Sequence, residues 1–172
     1  GYGTGGTVSG VGRVLREKSP GTKIILTEPE NAALIGSELK QDRHSDNTPA
    51  TSHSSWNPHL IQGWTPDFIP FVLQEAIDNN YFDKLLPVSG EQGITWAKRL
   101  ARAEGIITGI SGGSTFAIAM EVAKDASPDS NILCMLPDTG ERYLSSPLFE
   151  EIPEEMTDDE KKISLSTPNY QL

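Results

Sequence analysis

Two short runs of small residues and one polar loop hold the side chains whose types and spacing could do chemistry. The first run is Gly1-Tyr2-Gly3-Thr4-Gly5-Gly6-Thr7. Glycines let a backbone come close to a ligand, and threonine hydroxyls add donors. With a helix behind it, the N–H groups of residues 4 to 7 and the Thr4 and Thr7 hydroxyls would form a cup for a monophosphate. The positive end of the helix dipole favours that anion. The same run also spells Gly1-x-Gly3-x-x-Gly6, a dinucleotide fingerprint, with Glu28 about 20 residues further on at a strand end, where a ribose belongs. A third reading is a tight loop that holds nothing. The second run is Gly109-Ile110-Ser111-Gly112-Gly113-Ser114. Ser111 could meet a ligand ring or could simply cap the helix that follows. The third segment, Pro137 to Tyr143, carries Asp138 and Glu141. These are candidate acid–base groups, or carboxylates that bond loop amides and Arg142; the second reading is favoured.

The other reactive residue types are less promising. His44 and His53 sit in a polar loop with no partner at metal-ligand spacing, so no metal site is expected. His59 precedes an apolar segment and reads as structural. Cys134 lies inside an apolar run and reads as an inert core thiol, because a reactive one needs an exposed, electropositive setting. No nucleophile-elbow sequence is visible.

The surrounding elements must bring these runs together. Val8, Val11, Val14 and Leu15 recur at helical spacing, and Ser19-Pro20-Gly21 stops that helix. Lys23–Thr27, Lys84–Val88 and above all Asn131–Leu136 read as buried strands, and His59–Gly63 as a further one. Helices are expected over Glu30–Leu39, around Val72–Ile77, from Ile94 to Glu104, and after Ser114. Residues 40–58 form a long polar surface loop. Alternating strands and helices imply parallel β-α units, whose ligands bind at the carboxyl ends of the strands. The runs at 3–7, 109–114 and 137–143 each follow, or should follow, a strand and would gather at one sheet edge. The strand that should deliver the first run is expected from another polypeptide or from a longer chain.

Composition narrows the class. The chain has 172 residues, 36% hydrophobic, with 14 basic and 24 acidic side chains and a formal charge of −10. At roughly 100–200 residues per domain this is one domain with a tail, here 1–152 followed by an acidic 153–172. So negative a chain, with no local basic patch, does not suit nucleic acid. No apolar run approaches the ~20 residues needed to span a bilayer. One cysteine rules out an intrachain disulfide. A reducing setting is expected, the cytoplasm or the matrix of a plastid or mitochondrion.

The segments GTGGTVSGVGRVL, EPENAALIG, HLIQGWTPDFIP, EGIITGISGGSTFA and PDTGERYLSSPLFE, in that order, resemble cysteine synthase (O-acetylserine sulfhydrylase) and its relative cystathionine β-synthase. The resemblance runs from Gly3 to about Ile152. It implies the fold-type II, tryptophan synthase β-like architecture, a three-layer α/β sandwich around a mostly parallel sheet, here incomplete. It implies pyridoxal 5'-phosphate as cofactor, with Gly3, Thr4, Gly5, Gly6 and Thr7 at its phosphate and Ser111 at its pyridine nitrogen. Gly63, with Trp64 beside it, matches the substrate-pocket wall. The implied reaction converts O-acetylserine and sulfide to cysteine and acetate. The family's Schiff-base lysine has no counterpart among the eight lysines present. No catalytic residue is therefore expected in this chain, which should be inactive without an N-terminal half. A non-catalytic scaffold subunit is the alternative. Expected partners are that half, a second copy in a homodimer, and the C-terminal tail of serine acetyltransferase. Trp64-Thr65-Pro66-Asp67 departs from the family's Gly/Ala-rich stretch, and Gly112 replaces its usual second serine.

Overall fold

A computed structural model describes residues 1–166. The described residues form, in order, α1 (Gly6–Lys18), β1 (Ile25–Pro29), α2 (Phe71–Asp78), β2 (Lys84–Val88), α3 (Gly90–Glu104), α4 (Ile110–Asp125) and α5 (Asp158–Ser166). Strands β1 and β2 pair in parallel, with Ile25 opposite Lys84 and Pro29 opposite Val88. Pro87 sits within β2 opposite Glu28, a position tolerated because β2 is an edge strand of the described sheet.

Side chains alternate across a strand, and here the alternation divides the core in two. Leu26 on one face joins Tyr2, Val8, Leu34, Leu73 and Ala76 in a cluster beneath α1 and α2. On the other face Ile25, Leu86 and Val88 join Ile61, Trp64, Ala97, Ile110 and Ile118 beneath α3 and α4. The result is three layers, helix on sheet on helix, with the parallel sheet expected of the fold.

Local chemistry sets the helix ends. Ser89 and Gln92 form a reciprocal capping box at the start of α3, and Gly105 closes it in the left-handed region at φ 70°. Helix α1 is pinned at its far end by Arg16, which donates to the Thr22 and Asn80 carbonyls and pairs with Asp83 at 3.0 Å. Its buried face differs from the apolar spacing. Val11 and Val14 are about half exposed, whereas Ser9 and Gly12 are buried. The reason is close packing: the Ser9 hydroxyl donates to the Val72 carbonyl at 2.7 Å, and a Cβ at Gly12 would stand 2.5 Å from that of Tyr81. Helices α3 and α4 meet even more tightly. A Cβ at Gly93 would collide with the Ser114 hydroxyl, and one at Gly113 with the Gly93 carbonyl.

Several sequence expectations are corrected. Strand Lys23–Thr27 is shifted to Ile25–Pro29. His59–Gly63 is no strand; the Trp64 N–H turns back to the Ile61 carbonyl, and Gly63 takes φ 82°. The helix expected over Glu30–Leu39 shrinks to one turn, Glu30–Ala32, because the chain wraps round the buried Glu28 carboxylate, which draws in the N–H groups of Ile35 and Gly36. Asn131–Leu136 joins no strand pairing among the described residues, and Leu133 is 96% exposed. Cys134 is accordingly half-buried rather than in the core, and partial burial still pushes its thiol pKa up. The polar loop 40–58 is held by an isolated bridge between Arg43 and Pro49 and tucks His53 inside. The acidic tail carries the exposed α5; its last residues, 167–172, lie outside the described residues.

Candidate functional site

Helix α1 begins without a side-chain cap. Its N-cap, Gly5, lies in the left-handed region at φ 86°, and the first turn has no acidic residue. The Ser9 N–H is the first to bond back, to the Gly5 carbonyl at 2.9 Å. The Gly6 N–H makes a long 3.4 Å contact with the Thr4 hydroxyl. The N–H groups ahead of Ser9 are the orphan donors of a helix start, gathered at the positive end of its dipole. They line a small cavity of about 60 Å³ bounded only by residues 1 to 8. Glycine is needed in this cup for contact reasons. A Cβ at Gly3 would stand 2.6 Å from the Gly63 carbonyl oxygen, and one at Gly5 would stand 2.6 Å from the Leu73 Cα. A monophosphate fits such donors.

The loop carrying Gly63 and Trp64 buttresses this cup. The Thr65 N–H donates to the Tyr2 carbonyl at 2.8 Å, and the Trp64 ring lies flush against Gly1. The His59 ring spans its own turn, contacting the Thr65 carbonyl at 3.2 Å and accepting the Ile61 N–H at 3.3 Å, which is a structural role. Trp64 belongs to the same packed cluster as Ile110 of α4, against which Tyr143 also packs.

Ser111 is buried in the first turn of α4 rather than in a loop before it, and the cap position is Gly109. The third segment clamps that helix start. The Gly109 N–H donates to Asp138 Oδ1 at 3.3 Å, the Thr108 hydroxyl to the Asp138 carbonyl at 3.2 Å, and the Gly140 N–H to the Ile107 carbonyl at 3.2 Å. The Tyr143 hydroxyl donates to Asp138 Oδ2. Both Asp138 carboxylate oxygens are thus engaged, by an amide and by a phenol. Burial, then the hydrogen bond and charge of Asp138, push the Tyr143 pKa up. Glu141 is exposed, and the Thr139 hydroxyl holds its carboxyl below the usual range.

Glu28 is not placed to meet a ribose. It is 1% exposed and accepts the Tyr2 hydroxyl at 2.6 Å besides the two amides. Burial and the Glu28 charge raise the Tyr2 pKa steeply. The dinucleotide reading therefore loses its acidic residue. Sequence reasoning had missed Tyr2 and Tyr143 as anchors of the two sites. The signal available for Tyr143 was an aspartate and a tyrosine five residues apart in one polar loop.

Known proteins are similar to this chain in sequence and in fold. The profile of a family described as pyridoxal-phosphate dependent enzyme matches residues 1–138. An O-ureido-L-serine synthase of Streptomyces lavendulae is 39% identical over 167 residues, covering 97% of this chain and 45% of that protein. A cysteine synthase of Staphylococcus aureus is 35% identical over 149 residues, 87% of this chain and 42% of the other. The crystal structure of an O-ureido-L-serine synthase matches with a TM-score of 0.75 and 38% identity, over 94% of this chain and 45% of that one. The cysteine synthase of Entamoeba histolytica matches with a TM-score of 0.68 and 30% identity, over 98% and 44%. The chain thus spans less than half the length of these relatives.

Proposed function

The chain belongs to the pyridoxal-phosphate dependent enzyme family, and we propose that it provides the phosphate and ring-nitrogen contacts of a cysteine synthase-like β-replacement enzyme. The observation that carries this reading is the uncapped start of α1, where glycines forced by contact leave backbone donors facing a small cavity. Pyridoxal phosphate, when bound, supplies an electron sink that lets the β-substituent of an amino acid leave and be replaced.

This chain's part is to bind and orient. The amides of Gly6, Thr7 and Val8, with the Thr4 and Thr7 hydroxyls, offset the phosphate charge, and the helix dipole adds to them. Ser111 presents a neutral hydroxyl to the ring nitrogen. A neutral partner leaves that nitrogen unprotonated, which moderates the sink to a strength suited to exchange at the β-carbon. The Trp64 loop sets the wall beside the cup.

Among the described residues no lysine borders the cup. Lys98 pairs with Glu151, and Lys23 with Asp83. Imine chemistry needs a lysine amine at the cofactor aldehyde, and an N-terminal half is proposed to bring it. Acetate as leaving group and sulfide as nucleophile are proposed by analogy with cysteine synthase; the similarity to an O-ureido-L-serine synthase supports O-ureido-L-serine as an alternative product.

The test is to combine this chain with the N-terminal half and pyridoxal phosphate. Cofactor uptake, seen as a shift in its absorbance, together with turnover of O-acetylserine and sulfide, is the expected result. Halves that associate but take up no more cofactor than the N-terminal half alone would overturn the reading and favour the scaffold subunit.

A further inference from the structure

Residues 63 to 65 touch residues 1 to 3. A Cβ at Gly3 would meet the Gly63 carbonyl, a Cβ at Gly1 would meet the Trp64 ring, and the Thr65 N–H donates to the Tyr2 carbonyl at 2.8 Å. The front of the cup is therefore only as well fixed as this short loop. Within the loop, the Thr65 backbone is the least at ease. Among the described residues four non-glycines take a positive φ, namely Glu38, Asn47, Thr65 and Asn80; Thr65, at φ 37°, is the β-branched one. Branching at Cβ makes that region a true outlier. Pro66 comes next, and a residue before proline is driven toward extended φ. Released, Thr65 would swing by about 100° or more, and Gly63 and Trp64 would leave Gly3 and Gly1.

The restraint acts at the Thr65 carbonyl. The Trp56 indole N–H donates to that oxygen at 3.1 Å, and His59 Nε2 lies 3.2 Å from it. His59 Nδ1 accepts the Ile61 N–H at 3.3 Å, so Nε2 carries the ring proton and is the donor. Two aromatic rings thus occupy both lone pairs of one buried carbonyl.

We propose that Trp56 and His59 are positioning residues for the phosphate cup: together they latch Thr65 in a strained conformation that keeps Gly63 and Trp64 against residues 1–3. This rests on the reading of residues 3–7 as the phosphate site. Neither ring borders the cavity, which is lined by residues 1 to 8; both act through Thr65. Strain of this kind persists only where the surroundings over-determine it. It also creates an interdependence that plain packing would not. A residue that takes positive φ at no steric cost needs no latch.

The experiment titrates the assembly with the N-terminal half with pyridoxal phosphate and with pyridoxal, which lacks the phosphate. The ratio of the two affinities reads the cup. Thr7→Val comes first: it removes a cup hydroxyl and should lower the ratio. If the parent shows no preference for the phosphate form, or Thr7→Val leaves that preference unchanged, the cup reading fails, and this proposal with it. If the preference falls, Trp56→Phe and His59→Asn should each lower it by about two- to tenfold, the worth of one hydrogen bond, with pyridoxal affinity unchanged. His59→Asn keeps an acceptor for the Ile61 N–H but is too short to reach Thr65, whereas His59→Gln returns a donor and should restore most of the ratio. In the Thr65→Gly background neither Trp56→Phe nor His59→Asn should change it. Thr65→Asn, also tolerant of positive φ, takes the place of Thr65→Gly if that chain does not fold. Latch variants that leave the ratio at the parent value, that weaken pyridoxal equally, or that act as strongly in the Thr65→Gly background would overturn the proposal while leaving the cup reading intact.

Discussion

Alanine at Gly5 and alanine at Gly6 should have opposite consequences, although the two residues are neighbours in the same cup. Gly5 sits at φ 86°, where a Cβ costs about 1–2 kcal/mol in the left-handed region. Its new Cβ would also stand 2.6 Å from the Leu73 Cα and 2.7 Å from the Leu73 N. That obstacle is the backbone of α2, which cannot swing aside as a side chain tip would. Forcing helix α2 outward adds an overpacking cost of about 1–3 kcal/mol. Gly5→Ala should therefore destabilise the chain by about 2–5 kcal/mol, the sum of the two effects. At Gly6 the backbone is helical, and the nearest atom to a new Cβ is the Thr4 Oγ1 at 3.6 Å, an ordinary contact. Alanine is a better helix former than glycine, so Gly6→Ala should leave stability unchanged or raise it by up to about 1 kcal/mol. Urea denaturation followed by circular dichroism measures both. A Gly5→Ala chain within about 0.5 kcal/mol of the parent, the range of an ordinary surface change, would refute the argument that contact and backbone shape together demand glycine there. Equal losses at Gly5 and Gly6 would refute it too.

Other substitutions probe the supports. Tyr2→Phe should cost about 1.5–3 kcal/mol, because it removes a hydrogen bond to the buried Glu28 carboxylate. Since burial and Glu28 raise the Tyr2 pKa, its contribution is intact below the ordinary phenol value of about 10 and is lost as pH rises beyond it. Denaturation curves at alkaline pH should thus fall more steeply for the parent than for Tyr2→Phe. Asp83 is held down to about 2, first by the Ile24 N–H and then by Arg16 and Lys23. Its contribution is present above the ordinary carboxyl value of about 3.9 and disappears as pH falls toward about 2, so Asp83→Asn should flatten the acid limb of a stability–pH profile in that window. Trp64→Ala should cost about 3–5 kcal/mol in chemical denaturation, because the ring is buried between Gly1 and the second core cluster.

Much of the site could be read from residue types because its chemistry is local. A glycine–threonine run ahead of a helical repeat is a statement about backbone amides, and α1 starts at Gly6 as that run implies. Lys84–Val88 was equally legible, since a short apolar run between turn formers has few other uses. What failed was long-range. The apolar residues of Asn131–Leu136 describe a strand only if a neighbouring strand pairs with them, and neither strand of the described sheet does. Val11 and Val14 kept helical spacing yet faced outward, because close approach to α2 and Tyr81 selected the small residues Ser9 and Gly12. Glu28 had the right spacing for a ribose but was captured by Tyr2 and two amides, partners no spacing rule contains.

The glycine seam between α3 and α4 has a reach beyond its own packing. Gly93 and Gly113 bring the two helices almost to main-chain contact, and the Ser114 hydroxyl that faces Gly93 donates back to the Ile110 carbonyl of its own helix. Interlocked in this way, α4 can neither roll nor slide without breaking register with α3, so the first turn of α4 inherits its orientation from a partner helix and not from the loop that leads into it. A side chain introduced at Gly93 would be felt as a tilt at Ser111, three positions before Ser114. Substitutions along the outer surface of α3 can be accommodated freely, while its inner line of small residues is held fixed by a hydroxyl on the neighbouring helix.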